Sequence, residues 1–141
     1  MSKHNEMVFS EDVDTAVREI VLNQPKKKNA INASMMDLLS NEVLAADEDS
    51  DVRVIILRGE GNTFSSGGDL NQSTSEEQCP ESARMTLRHY SKAIRCIRHI
   101  SKPVIAMVDG YAVGGAFALV LASDLVCASE ESIFIPAFCQ I

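Results

Sequence analysis

Lys102-Pro103-Val104-Ile105-Ala106-Met107-Val108-Asp109-Gly110-Tyr111-Ala112-Val113-Gly114-Gly115 reads as an apolar strand that runs into a glycine-rich turn. The turn opens an apolar helix, Gly115 to Ala122, and Leu125 to Ala128 and Ser132 to Ile135 read as two further short strands. Upstream, Phe64-Ser65-Ser66-Gly67-Gly68-Asp69-Leu70 is a second glycine turn behind a second apolar run, Val52 to Arg58. Ala16 to Leu22 is another strand, closed by Asn23-Gln24-Pro25. Between these two strands Met35, Leu38, Leu39, Val43 and Ala46 fall on one helical face, with Asn32 or Ser34 as the N-cap. A second helix is expected from about Ser82 to Ile100, carrying Leu87, Tyr90, Ile94 and Ile97 inward, and Pro103 marks its stop. Strand and helix alternate along the chain, so the fold class is α/β. The pattern alone fits a stacked spiral and a doubly wound sheet equally.

Composition narrows the function classes. The 141 residues suit one domain, with 45% hydrophobic and 23% charged residues, in the range of ordinary globular chains. A net charge of -7 supplies no basic field for a nucleic-acid backbone. Cys79, Cys96, Cys127 and Cys139 form no CxxC pair, which argues against a zinc site or a redox motif and for reduced thiols in the cytoplasm. Residues 1–6 have neither the apolar run of a signal peptide nor the arginine-rich character of a transit peptide. The most apolar region, Val104 to Ala128, is interrupted by Asp109, three glycines and Asp124, so it reads as buried core and not as a membrane span. The polar, acidic stretch Asn71 to Pro80 reads as a mobile loop beside the first glycine turn.

A glycine turn between strand and helix leaves backbone N–H groups unpaired at a helix N-terminus, where the dipole favours negative charge. Two such turns, if they converge, make an oxyanion hole. Neither is followed by Gly-Lys-Ser/Thr and neither has full GxGxxG spacing, so phosphate binding by those motifs is the weaker reading. No serine sits in a Gly-x-Ser-x-Gly elbow, and His4, His89 and His99 have no carboxylate at a telling spacing, so a hydrolase triad is not supported. Tyr111 reads as packing and Cys139 as a small core residue. Arg84, Arg88, Lys92, Arg95 and His99 read as a solvated face of the second helix.

Four segments in order, Lys28-Asn29-Ala30-Ile31-Asn32, Val54-Ile55-Ile56-Leu57-Arg58-Gly59, Phe64 to Leu70 and Lys102 to Gly115, resemble the enoyl-CoA hydratase/isomerase (crotonase) superfamily over nearly the whole chain. The resemblance implies a spiral of ββα units, an acyl-CoA thioester as substrate, no cofactor apart from the coenzyme A of that substrate, and homo-trimers or hexamers. It makes the amides of Gly68 and Gly115 the two oxyanion donors. It places Lys28, Ala30, Ser66, Gly68, Asp69 and Leu70 along the CoA. Lys26-Lys27-Lys28 would then attract its phosphates, and Asp69 is expected to cap the turn that follows it.

The family pattern breaks at the acid/base positions. Where hydratases carry glutamates, this chain has Ala118 and Phe138, which cannot activate water. Phe134-Ile135-Pro136-Ala137-Phe138-Cys139-Gln140-Ile141 looks closer to the Δ3,Δ2-enoyl-CoA isomerases and ring-opening isomerases, whose single carboxylate would fall beyond Ile141. The expectation is therefore an incomplete crotonase-like domain over residues 1–141, without the family's C-terminal helices and with apolar surface exposed in their place. An isomerase is the leading reading, with a hydratase or a catalytically silent acyl-CoA-binding module as alternatives.

Overall fold

Asn32 caps the first helix as expected: its side-chain oxygen accepts from Met35 N at 2.8 Å, and α1 runs Ala33–Glu48. The structure is a computed structural model that describes residues 6–69 and 80–137, with side chains in the second helix described from residue 84 onward. Its elements in order are β1 (Val8–Asp14), β2 (Val17–Leu22), α1, β3 (Val54–Gly59), α2 (Pro80–His99), β4 (Val104–Val108), β5 (Tyr111–Val113), α3 (Gly115–Ala122), β6 (Leu125–Ala128) and β7 (Ile133–Ile135). The expected loop Asn71 to Pro80 lies outside the described residues, except that Pro80 begins α2.

The main sheet has the order β1-β2-β3-β4-β6. β2, β3, β4 and β6 run parallel, and β1 pairs antiparallel with β2. A second, smaller sheet pairs β5 and β7 in parallel, and bridges Ser65↔Ala112 and Ile31↔Gly68 widen it with two more segments. Residues 28–31, residues 64–69, β5 and β7 therefore lie side by side. The core fills the space between this layer, the main sheet and the helices, with Ile20, Leu22, Ile31, Met35, Met36, Leu39, Leu57, Phe64 and Leu119 fully buried.

The structure departs from the sequence expectations at several places. β1 carries no strand signal in the sequence, because Ser10 to Asp14 is polar apart from Val13. Pairing with β2, the Arg18–Asp12 ion pair at 2.8 Å and the Ser10–Glu42 hydrogen bond hold it there. Ala16 belongs to the hairpin turn, at φ 65°, and not to the strand it was expected to begin. Tyr111 to Val113, read as turn, is strand β5, since the bridge to Ser65 satisfies its backbone. Leu87, expected in the inward stripe of α2, is 65% exposed, because the stripe that packs is Tyr90, Ala93, Ile94 and Ile97, and residues 84–88 are all exposed.

The apolar stretch Val104 to Ala128 is buried only in part. Val104, Ala106, Val108, Ala116, Leu119 and Val120 are core, whereas Leu121 and Leu125 are 65% and 61% exposed, and Val126, Ile133 and Phe134 also face outward. Strand β6 is the end strand of the main sheet among the described residues, and all four of its side chains are exposed.

Candidate active site

The site is built where the two glycine turns meet. A 3-10 turn, Pro25–Lys27, delivers Lys28 and Asn29 in left-handed conformation, both at φ 52°. Asparagine tolerates that region better than most residues. Asn29 is fully buried and satisfied: its Oδ1 accepts from Gln24 N at 2.8 Å, and its Nδ2 donates to Glu60 O and Thr63 O at 2.9 and 2.8 Å. One side chain thus ties residues 24 to 31 to the loop that follows β3.

From that anchor the two segments run as a short parallel ladder. Ser66 N donates to Lys28 O, Ile31 N to Gly67 O and Asp69 N to Ile31 O, at 2.9, 2.7 and 2.8 Å. Ser65 Oγ donates to Asn29 O at 2.7 Å and accepts from Gly67 N at 3.1 Å. In a parallel bridge centred on Ile31, residues 67 and 69 make the bonds, so the N–H of Gly68 points away from Ile31.

The other edge of residues 64–69 meets β5. Ser65 N donates to Tyr111 O and Val113 N to Ser65 O, at 2.9 and 3.2 Å. Gly67, at φ 87°, brings its backbone against the Val113 carbonyl, where an added Cβ would stand 2.6 Å from the oxygen. The close approach requires glycine there. Gly114 N donates to Ile135 O, and Gly115 is the first residue of α3, so its amide is one of the donors that a helix leaves without an internal partner. Among the described residues, the amides of Gly68 and Gly115 donate to no protein acceptor.

Tyr90 of α2 crosses both turns. Its hydroxyl donates to Ile31 O at 3.1 Å, the same carbonyl that accepts from Asp69 N. An added Cβ at Gly68 would lie 3.4 Å from that hydroxyl, and one at Gly115 would lie 3.1 Å from Cδ1 and closer still to Cε1. Burial pushes the phenol up to about 12, and the negative charge of Asp69 adds to the shift. The ring is neutral at physiological pH.

Of the residues expected at the site, Lys28, Ala30, Ser66, Gly68 and Asp69 come together on this ladder, and Leu70 lies outside the described residues. The bridge Ser65↔Ala112 joins the segments that carry Gly68 and Gly115, and Tyr90 lies against both glycines. The Asp69 carboxylate is only 5% exposed and has Lys27 Nζ at 3.5 Å, so one of the three lysines expected to face phosphate pairs with a carboxylate instead. The expected capping by Asp69 falls on residues outside the description. Ala118 sits on α3, donating N–H to Gly114 O at 3.1 Å, with no side-chain polar group to offer. Phe138 and Cys139 lie outside the described residues.

Arg84, Arg88, Lys92, Arg95 and His99 are exposed on α2, as a solvated face requires. Lys92 and His89 reach Asp37 of α1 at 3.5 and 3.0 Å, and the bond from His89 contributes most to lowering the Asp37 pKa. Sequence reasoning missed two residues of the site. In the sequence Asn29 is one residue of the Lys28 to Asn32 motif with no role of its own, and Tyr90 is one member of an apolar stripe. The signal for Tyr90 is its polar tip on an otherwise aliphatic stripe, since a buried tyrosine hydroxyl needs a partner.

Comparison with known proteins bears on this geometry. Residues 12–141 match the family model described as enoyl-CoA hydratase/isomerase. The human enoyl-CoA hydratase domain-containing protein 3, named as mitochondrial, is 40% identical over 118 residues, which are 84% of this chain and 39% of that protein. The 1,2-epoxyphenylacetyl-CoA isomerase of Escherichia coli K12 is 30% identical over 131 residues, covering 92% of this chain and 50% of the relative. An enoyl-CoA hydratase/isomerase from Xanthobacter autotrophicus Py2 superposes with a TM-score of 0.87 at 33% identity, over 93% of this chain and 49% of the other. The crystal structure of the human protein gives 0.85 at 36% identity, over 92% and 50%. The chain spans half or less of the length of these relatives.

Proposed function

The chain belongs to the enoyl-CoA hydratase/isomerase family, and from that footing we propose that it holds an acyl-CoA thioester with its carbonyl oxygen between the amides of Gly68 and Gly115. The observation that carries this reading is that, among the described residues, the N–H groups of Gly68 and Gly115 have no protein acceptor, while bridges to Ile31 and Ala112 hold the segment that carries Gly68. Moving a proton next to a thioester puts negative charge on the carbonyl oxygen as an enolate. Donors already in place stabilise that charge without reorganising, and one of them is worth about 2.7 to 4 kcal/mol in the transition state.

The reaction we assign to the protein is a double-bond shift in an enoyl-CoA. Ala118 stands where water activation would need a carboxylate, which counts against hydration, and the E. coli relative is named as an isomerase of a CoA thioester. The buried Asp69 is paired with Lys27 and is not assigned the proton transfer. A silent acyl-CoA-binding module is the second reading, favoured by the same Ala118. Turnover separates the two. Incubated with a 3-enoyl-CoA, the protein should accumulate the conjugated 2-enoyl thioester, and binding without any spectral change establishes the silent module instead.

Two further elements belong to this proposal. Assembly into trimers would cover part of the apolar surface at Leu121, Leu125 and Val126. A reducing compartment suits Cys96 and Cys127, both free thiols. Among the described residues, no helix is long and apolar enough to cross a membrane.

A further inference from the structure

We propose that the Tyr90 ring is the wall that sets how bulky an acyl group the site accepts next to the thioester carbonyl. The inference rests on the thioester site at Gly68 and Gly115. One ring spans both turns, with its edge against Gly115 and its hydroxyl beside Gly68. Its hydroxyl bond to Ile31 O fixes the far end, and that carbonyl is itself held by Asp69 N, so the ring cannot swing aside without giving up a hydrogen bond.

The same bond argues against a role in proton transfer. A phenol has one O–H to donate, and here it is given to the Ile31 carbonyl. What remains is shape. The next residue on the α2 stripe is Ala93, fully buried and too small to take over the space if the ring were removed. Truncating an aromatic side chain opens a void of about its own volume when neighbours cannot collapse into it. That void would adjoin Gly68 and Gly115, beside the proposed position of the thioester carbonyl.

Isothermal titration calorimetry of acetyl-CoA and phenylacetyl-CoA into the full chain, Tyr90→Phe and Tyr90→Ala tests the inference. The wild type should favour acetyl-CoA, and Tyr90→Phe, which keeps the ring but gives up its bond to Ile31 O, should move the affinity ratio far less than removal of the ring does. Tyr90→Ala should move the ratio toward phenylacetyl-CoA by about tenfold or more, the scale of discrimination a pocket wall supplies. Should Tyr90→Ala lose its folded circular-dichroism signal, Tyr90→Val takes its place with the same expected shift. An unchanged ratio in a folded variant that still binds both thioesters overturns the wall while leaving the site standing. Failure of the wild type to bind any CoA thioester overturns the site reading beneath it.

Discussion

Tyr90 and Gly115 share one volume: a Cβ on residue 115 would stand 3.1 Å from Tyr90 Cδ1 and closer to Cε1. Glycine at 115 therefore answers two demands at once. It opens α3 with an amide that has no internal acceptor, and it leaves room for a ring delivered by another helix.

Gly115→Ala should destabilise the protein by about 1 to 3 kcal/mol, the range for forcing a methyl group into a packed site. The neighbour that must give way is a half-buried ring and not the flexible end of a chain, so the cost should not relax away. Gly115→Ala combined with Tyr90→Ala should cost less than the sum of the two single changes in urea unfolding. Strict additivity would show that the ring and residue 115 do not compete for space.

Asn29→Ala removes three hydrogen bonds and leaves Gln24 N, Glu60 O and Thr63 O without their partner. It also places alanine at a positive φ. A loss of roughly 3 kcal/mol is expected, from unsatisfied buried groups and the strained backbone together. Because residues 28–31 carry the ladder that aims Gly68, affinity for acetyl-CoA should fall in a variant that remains folded. Asn32→Ala is the contrast: it deletes the α1 cap at a cost of about 1 kcal/mol and should leave thioester affinity unchanged. Equal effects of the two on binding, measured by calorimetry, would contradict the role given to Asn29.

The chain has two tyrosines, so Tyr111→Phe isolates Tyr90 for titration. Its phenol is raised from 10.0 to about 12 in the fold, by burial first and by Asp69 second. A raised folded pKa means the native state keeps its proton longer than the unfolded chain. The stabilisation is complete below pH 10 and is lost as the pH rises toward about 12. Ultraviolet difference absorbance should show no phenolate near pH 10 and a steep rise near 12 accompanied by unfolding. Ionisation at the ordinary value in folded protein would show that the ring is not buried against the turns.

Both glycine turns and most strands were legible in the sequence, because Gly67-Gly68 and Gly114-Gly115 follow apolar runs at a spacing that fixes turn and helix start. The N-cap Asn32 was legible for the same local reason. What stayed hidden depends on partners far along the chain. Ser10 to Asp14 carries no strand pattern of its own and is held by β2 and by Arg18. Tyr90 belongs to an ordinary apolar stripe until α2 is laid across turns separated from it in sequence. Asn29 looks like any loop asparagine until Gln24, Glu60 and Thr63 close around it.

The central claim is that a thioester oxygen receives the Gly68 and Gly115 amides. Infrared difference spectroscopy of carbonyl-labelled acetyl-CoA reads that oxygen directly, since hydrogen-bond donation weakens the C=O bond. The bound thioester stretch should fall below its frequency in water for the wild type, and in Gly115→Pro, which lacks one donor, the shift should shrink markedly. A bound thioester whose carbonyl stretch matches the free molecule, or is the same in the wild type and Gly115→Pro, would contradict the account.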